Sequence, residues 1–172
     1  EYDRILYEAY VTGGTFEASE MKLCFPNRLE DIAVLAHFPH AWQAPYLLGC
    51  LYYDRMNYAA ARTAWEESAR LNPDDAFTWR NLAQALYDHF GEKEEARACL
   101  EKALRLAPEN ARIVYELLQL YKNINMPVKD RLAFLEAHAA LARQRDDCFL
   151  DMIVLYMQEG LFEKARELLL SK

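Results

Sequence analysis

The 172-residue sequence has no run of about 18 apolar residues, so it holds no candidate for a membrane-spanning helix, and no charged-then-apolar leader is visible at its start. It begins at Glu1 without a methionine and stops at Lys172 inside an expected helix; it reads as a piece of a longer protein. Glycine and proline are scarce, at 5 and 6 residues, which suits helices joined by short turns. Positive charge is also short. Twenty Lys and Arg face 27 Asp and Glu, for a net charge of −7, and such a surface repels phosphate backbones and anionic bilayers on average. Neither nucleic acid nor a membrane is an expected partner. Cys24, Cys50, Cys99 and Cys148 are spread widely with no Cys-x-x-Cys pair, which points to reduced, structural thiols and a cytoplasmic setting.

Chemistry-bearing motifs are missing as well. There is no glycine-rich phosphate loop, and His89 and His138 have no serine or cysteine nucleophile at motif spacing. His37 and His40 are three apart and could share a metal, yet only the distant Cys24 or a carboxylate could supply a third ligand, and Pro39 sits between them. Glu92-Lys93-Glu94-Glu95 is a charged first turn favoured by the helix dipole. No catalytic residue, metal site or cofactor is expected.

What the chain does have is 53% hydrophobic residues and an internal repeat. Leu48-Gly49, Tyr52, Tyr58, Ala61, Trp65, Leu71 and Pro73 are followed by Trp79, Leu82-Ala83, Leu86, Gly91, Ala96, Leu100, Ala103, Leu106 and Pro108. The two closing prolines are 35 residues apart. Small residues, Gly49 and Ala83 on a first helix and Ala61 and Ala96 on a second, let paired helices approach closely. Trp65 and Leu100, four residues beyond those alanines and on the same face, fill the remaining gap. Pro73 and Pro108 stop each second helix, and Asp74-Asp75 and Glu109-Asn110 cap the next.

This spacing resembles the tetratricopeptide repeat, whose period is about 34 residues. One extra residue near Phe90 then has to be absorbed in a turn. The resemblance implies an all-α fold, a right-handed superhelical α-solenoid of helix-turn-helix units. Residues 1–40 read as a worn copy (Leu6, Tyr10, Gly14, Phe16, Leu23) plus an extra helix over 28–36; 41–75 and 76–110 as full units; 111–145 as a divergent unit; and 146–172 as a truncated one. In the divergent unit Asp130 replaces the small alanine, Pro127 stands at the first position of the second helix, and that helix runs from Val128 to about Arg143.

In tetratricopeptide proteins the first helices line a concave wall. The resemblance places Gln43, Tyr46, Leu47, Cys50, Tyr53 and Asp54 there in the first full unit, and Phe77, Arg80, Asn81, Gln84, Tyr87 and Asp88 in the next. Arg112, Tyr115, Glu116, Gln119, Lys122 and Asn123 follow, then Asp147, Leu150, Asp151, Val154, Met157 and Gln158. Rings give rigid contact area and amides pair with a peptide backbone, so the expected binding residues are Tyr46, Cys50, Tyr53, Phe77, Arg80, Asn81, Gln84, Tyr87, Arg112, Tyr115 and Gln119. Some members of the family clamp a C-terminal carboxylate with lysines, asparagines and an arginine. Asn81 fits that clamp and Arg112 can stand for a lysine, but Tyr46 and Cys50 replace the first lysine and asparagine, and Glu116 replaces the arginine. Arg80 and Arg112 could still grip an acidic side chain.

The strings Phe25-Pro26-Asn27-Arg28-Leu29-Glu30, Tyr46-Leu47-Leu48-Gly49, Arg80-Asn81-Leu82-Ala83 and Arg131-Leu132 followed by Arg145-Asp146-Asp147 further resemble the repeat region of large bacterial proteins with a domain of unknown function. The expected role is a non-catalytic scaffold that binds a protein or peptide, or another domain of the parent chain. The alternative is an accessory segment of a larger bacterial carbohydrate-processing enzyme. Leu168, Leu169 and Leu170 form an uncovered helix face through which copies could self-associate.

Overall fold

The computed structural model of the chain describes residues 27–38 and 40–171, so the worn copy read into residues 1–25 lies outside the described part. Every regular element among the described residues is helical. α1 spans Glu30–Ala36, α2 Gln43–Asp54, α3 Tyr58–Leu71, α4 Ala76–Ala85, α5 Lys93–Leu106 and α6 Ala111–Asn123. α7 covers Val128–Ala137, α8 Ala139–Ala142, α9 Asp146–Gln158 and α10 Phe162–Leu170. Contacts gather the described residues into two compact units, one up to Glu92 and one from Lys93. In the first, α1 packs on α2, α2 on α3 and α3 on α4; in the second, α5 packs on α6, α6 on α7 and α8, and α9 on α7, α8 and α10. None of the described helices is long and apolar enough to cross a membrane.

Side-chain caps start three of these helices. Asn57 accepts from the Ala60 amide at 3.3 Å, Asp75 from Thr78 at 2.7 Å, and Asn110 from Arg112 and Ile113 at 3.1 and 3.3 Å. Each satisfies amides that the first helical turn leaves without a partner.

The packing of α2 on α3 turns on Gly49 and Trp65. Trp65 is only 3% exposed, and its indole lies so near the Gly49 backbone that a Cβ there would fall 2.3 Å from Nε1. The same indole N–H donates to the Tyr46 carbonyl at 3.1 Å, which satisfies the one polar atom the ring brings into the interior. Ala61, Ala83 and Ala96 are fully buried and Leu100 nearly so, so the small and large positions of the repeat are both interior.

Each first helix ends on a residue of positive φ: Met56 (60°), Gly91 (69°), Asn125 (59°) and Gly160 (72°). The residue after it bonds back into the last turn. Asn57 donates to Tyr52 O at 2.8 Å, Met126 to Tyr121 O at 2.9 Å and Leu161 to Tyr156 O at 2.9 Å. In α4 the matching bond runs from Glu92 to Leu86 O at 3.0 Å, reaching back one residue further. The sequence places the same extra residue between Ala83 and Ala96, 13 positions apart where Gly49 and Ala61 are 12 apart. It is absorbed inside the helix, as a π-helical turn over Leu86–Phe90, and not in the connecting turn as the spacing suggested. Widening one turn keeps the backbone hydrogen-bonded while it rotates the residues that follow.

The divergent unit departs from expectation in two ways. Pro127 is the N-cap of α7, with φ −52° and ψ 144°, one step before the first helical position. The second helix is also broken at His138, where φ is −115° and ψ 28°. The Phe134 carbonyl accepts from the His138 ring Nδ1–H at 2.8 Å, while the His138 amide turns to Leu135 O at 3.1 Å. A side chain has taken the acceptor that the helical ladder would use. Asp130, at the step that Ala61 fills in the first pair, is exposed, and Leu132 and Leu135 are buried instead.

Candidate functional site

The expected binding residues of the first unit fall into two groups. Tyr46, Cys50 and Tyr53, all on α2, are half-buried and engaged by α4 and its π turn. The Asn81 amide lies 3.5 Å from the Tyr46 hydroxyl and 3.7 Å from the Cys50 sulfur. Burial pushes the Cys50 thiol up to about 11 and raises the Tyr46 phenol as well, so both stay neutral at ordinary pH. The Tyr53 ring stands 5.5 Å from Trp65, 5.3 Å from Tyr58 and 5.4 Å from His89, and its hydroxyl is 3.2 Å from His89 Nε2. The imidazole in turn stacks on Tyr58 with ring centres 3.4 Å apart. His89 lies on the π turn, so the extra residue helps seat it against α2 and α3.

The second group lies on α4 and its π turn, and only Phe77 and Gln84 of it are exposed. Phe77 is half exposed and Gln84 exposed, the latter donating its amide to the Asp88 carboxylate one turn on. Arg80 and Tyr87 are half-buried, and an Arg80 N–H donates to Asn81 Oδ1 at 3.3 Å. Asn81, the residue that fits a carboxylate clamp, therefore points its amide at Tyr46 and Cys50.

In the second unit, Arg112 meets Glu116 at 3.0 Å, so its charge is already countered by the residue that the clamp pattern lacks. Tyr115 lies under the Arg145 guanidinium, 4.7 Å from its ring centre, and Arg145 also grips Asp147 through two bonds of 2.7 and 3.0 Å. Hydrogen bonding to that guanidinium holds the Asp147 carboxyl below the usual carboxylate range. Gln119 donates to Asp151 at 2.9 Å. On α9, by contrast, Leu150, Val154 and Met157 are 57%, 48% and 52% exposed. Sequence reasoning did not anticipate the roles of Arg145 and His89. A cation over a ring and a π-turn histidine leave no periodic signal.

No group of three or more His, Cys, Asp or Glu side chains among the described residues is placed to hold a metal ion. His37 and His40 are both exposed.

Residues 32–76 and 46–111 each match the tetratricopeptide repeat family. Residues 32–111 are a tetratricopeptide-repeat region. Solved structures share its fold at low identity. MamA from Desulfovibrio magneticus RS-1 is 16% identical, with a TM-score of 0.64 over 99% of this chain and 90% of its own. YrrB, described as a tetratricopeptide-repeat protein with an unusual peptide-binding site, is 21% identical, with a TM-score of 0.62 over 81% and 75% of the two chains. The tetratricopeptide-repeat domain of Arabidopsis OM64 is 17% identical, with a TM-score of 0.58 over 70% of this chain and 98% of that domain. The architecture of the described residues is accordingly that of an all-helical tetratricopeptide solenoid.

Proposed function

We propose that this chain is a non-catalytic scaffold that captures a segment of another protein on its first helices. One observation carries the reading. Phe77 on α4 and Leu150, Val154 and Met157 on α9 are exposed large apolar side chains, whereas the exposed positions of α3 and α5 are charged or small, such as Glu66, Arg70, Glu94 and Ala98. Apolar side chains left in water on a first helix of each unit mark surfaces meant to be covered, and among the second helices only the last, α10, also exposes large apolar side chains. The peptide-binding site named for YrrB is in keeping with this use of the fold. In the first unit Arg80, Gln84 and Tyr87, and in the second Gln119, supply hydrogen bonds to a bound backbone.

The test is affinity capture with the intact chain and with a Phe77→Ala/Arg80→Ala/Leu150→Ser variant. Loss of the captured protein at an unchanged melting temperature supports the scaffold. Retention places its site elsewhere. A second surface, Leu169 and Leu170 with Phe162 on α10, is exposed and is proposed for self-association; Leu168, expected on that face, is buried instead. Sedimentation should show a concentration-dependent dimer that Leu169→Glu abolishes, and a monodisperse monomer at high concentration would contradict it.

A further inference from the structure

Counted back from the positive-φ residue that ends each first helix, Tyr46, Cys50 and Tyr53 of α2 occupy the same steps as Tyr115, Gln119 and Lys122 of α6 and as Leu150, Val154 and Met157 of α9. Where these steps have a neighbouring first helix in the same unit, side chains from that helix or from the residues flanking it engage all of them but Lys122, which is exposed. Asn81 reaches Tyr46 and Cys50, Asp151 accepts from Gln119, and Arg145 covers Tyr115. On α9 the three steps are bare and all aliphatic. Their i, i+4, i+7 spacing aligns them along one helix face over about 10 Å.

The border of this stripe is acidic. Across residues 145–159 one arginine stands against four carboxylates, Asp146, Asp147, Asp151 and Glu159, and the arginine is held by Asp147. On the adjoining helix Arg112 is countered by Glu116 and Lys122 is exposed, so carboxylates still outnumber cations at this border. A second copy of the same face would set carboxylate against carboxylate, and an anionic bilayer would be repelled.

We infer that the Leu150–Val154–Met157 face of α9 docks an amphipathic helix of a partner protein, one that carries lysine or arginine beside an aliphatic stripe. Aliphatic side chains on the incoming helix, spaced as on α9, interleave with the three exposed ones, and its cations meet Asp151 and Glu159 at the rim. This rests on the reading of the first helices as the capture surface and specifies what α9 contributes to it.

The probe is a fluorescently labelled amphipathic peptide of leucine, alanine and lysine, titrated against the whole chain beside a counterpart with every lysine replaced by glutamate. The lysine peptide should bind, and added salt should weaken it. The glutamate peptide should bind at least about tenfold more weakly. Leu150→Ser/Val154→Ser should reduce binding of the lysine peptide by about tenfold or more, and Asp151→Asn/Glu159→Gln by a smaller factor, both with the melting temperature kept. Equal binding of the two peptides, or binding indifferent to the Leu150/Val154 change, overturns the inference. So does a dimer of the chain that the same double change dissolves, because the occupant is then a second copy. If neither peptide binds yet the change abolishes capture of a natural partner, the basic-helix assignment fails while the scaffold reading stands. If capture survives every first-helix variant, the scaffold reading itself fails.

Discussion

The helix pair Gln43–Leu71 and the pair Asp146–Leu170 follow one plan and end in opposite states. In the first, Trp65 stands nine residues after the positive-φ Met56; in the last, Leu169 stands nine after Gly160. Trp65 is 3% exposed and Leu169 56%. The first helices differ in the same sense, with Tyr46, Cys50 and Tyr53 half covered where Leu150, Val154 and Met157 are open. Position in the repeat decides which way a side chain points. Whether that side chain is interior depends on what lies against it, and the two pairs separate these causes because both place it at the same step after a positive-φ residue.

The largest way to disturb the contrast is Trp65→Ala, which empties a large interior site bounded by α2 and should cost about 3–5 kcal/mol in denaturant unfolding. Gly49→Ala comes next. The new Cβ meets an indole that is buried and hydrogen-bonded, so overpacking of about 1–3 kcal/mol outweighs the helix propensity gained. The two effects share one contact, and in a Trp65→Ala background the Gly49→Ala penalty should vanish; an additive double variant would show that the glycine is not there for the indole. His89→Ala removes the stack on Tyr58 and the Tyr53 contact and should cost about 0.5–1.5 kcal/mol. A null result there would mean that the π turn seats nothing. A smaller change of opposite sign is expected at Met56, a non-glycine residue at φ 60° whose side chain is in solvent. Met56→Gly should stabilise by about 0.5–1 kcal/mol, as relief of the left-handed conformation exceeds the entropy lost.

Much of the fold was legible because the tetratricopeptide pattern ties burial to spacing. Gly49, Ala61, Trp65, Ala96 and Leu100 are interior as their order implied, and Asp75 and Asn110 cap the helices they precede. The extra residue between Ala83 and Ala96 was countable, but nothing in the residues told a wider loop from a π turn, since both restore the phase of α5. The break at His138 was hidden for a similar reason: residues 128–142 are good helix formers, and one imidazole bonding to a carbonyl four residues back interrupts them. Of the proposed site, the helix faces were readable and their occupancy was not. Tyr46, Cys50 and Asn81 look alike as polar groove residues until the structure turns them toward one another. The resemblance placed Leu150, Val154 and Met157 on the concave wall, and only the structure shows that the described residues leave them open to solvent.

The account depends on equivalent steps in these two pairs having unequal surroundings, and the most direct check is to unfold Trp65→Ala and Leu169→Ala side by side in denaturant. The Trp65 change should remove about 3–5 kcal/mol, and the Leu169 change should fall within about 0.5 kcal/mol of the parent. Equal losses at the two positions would contradict it.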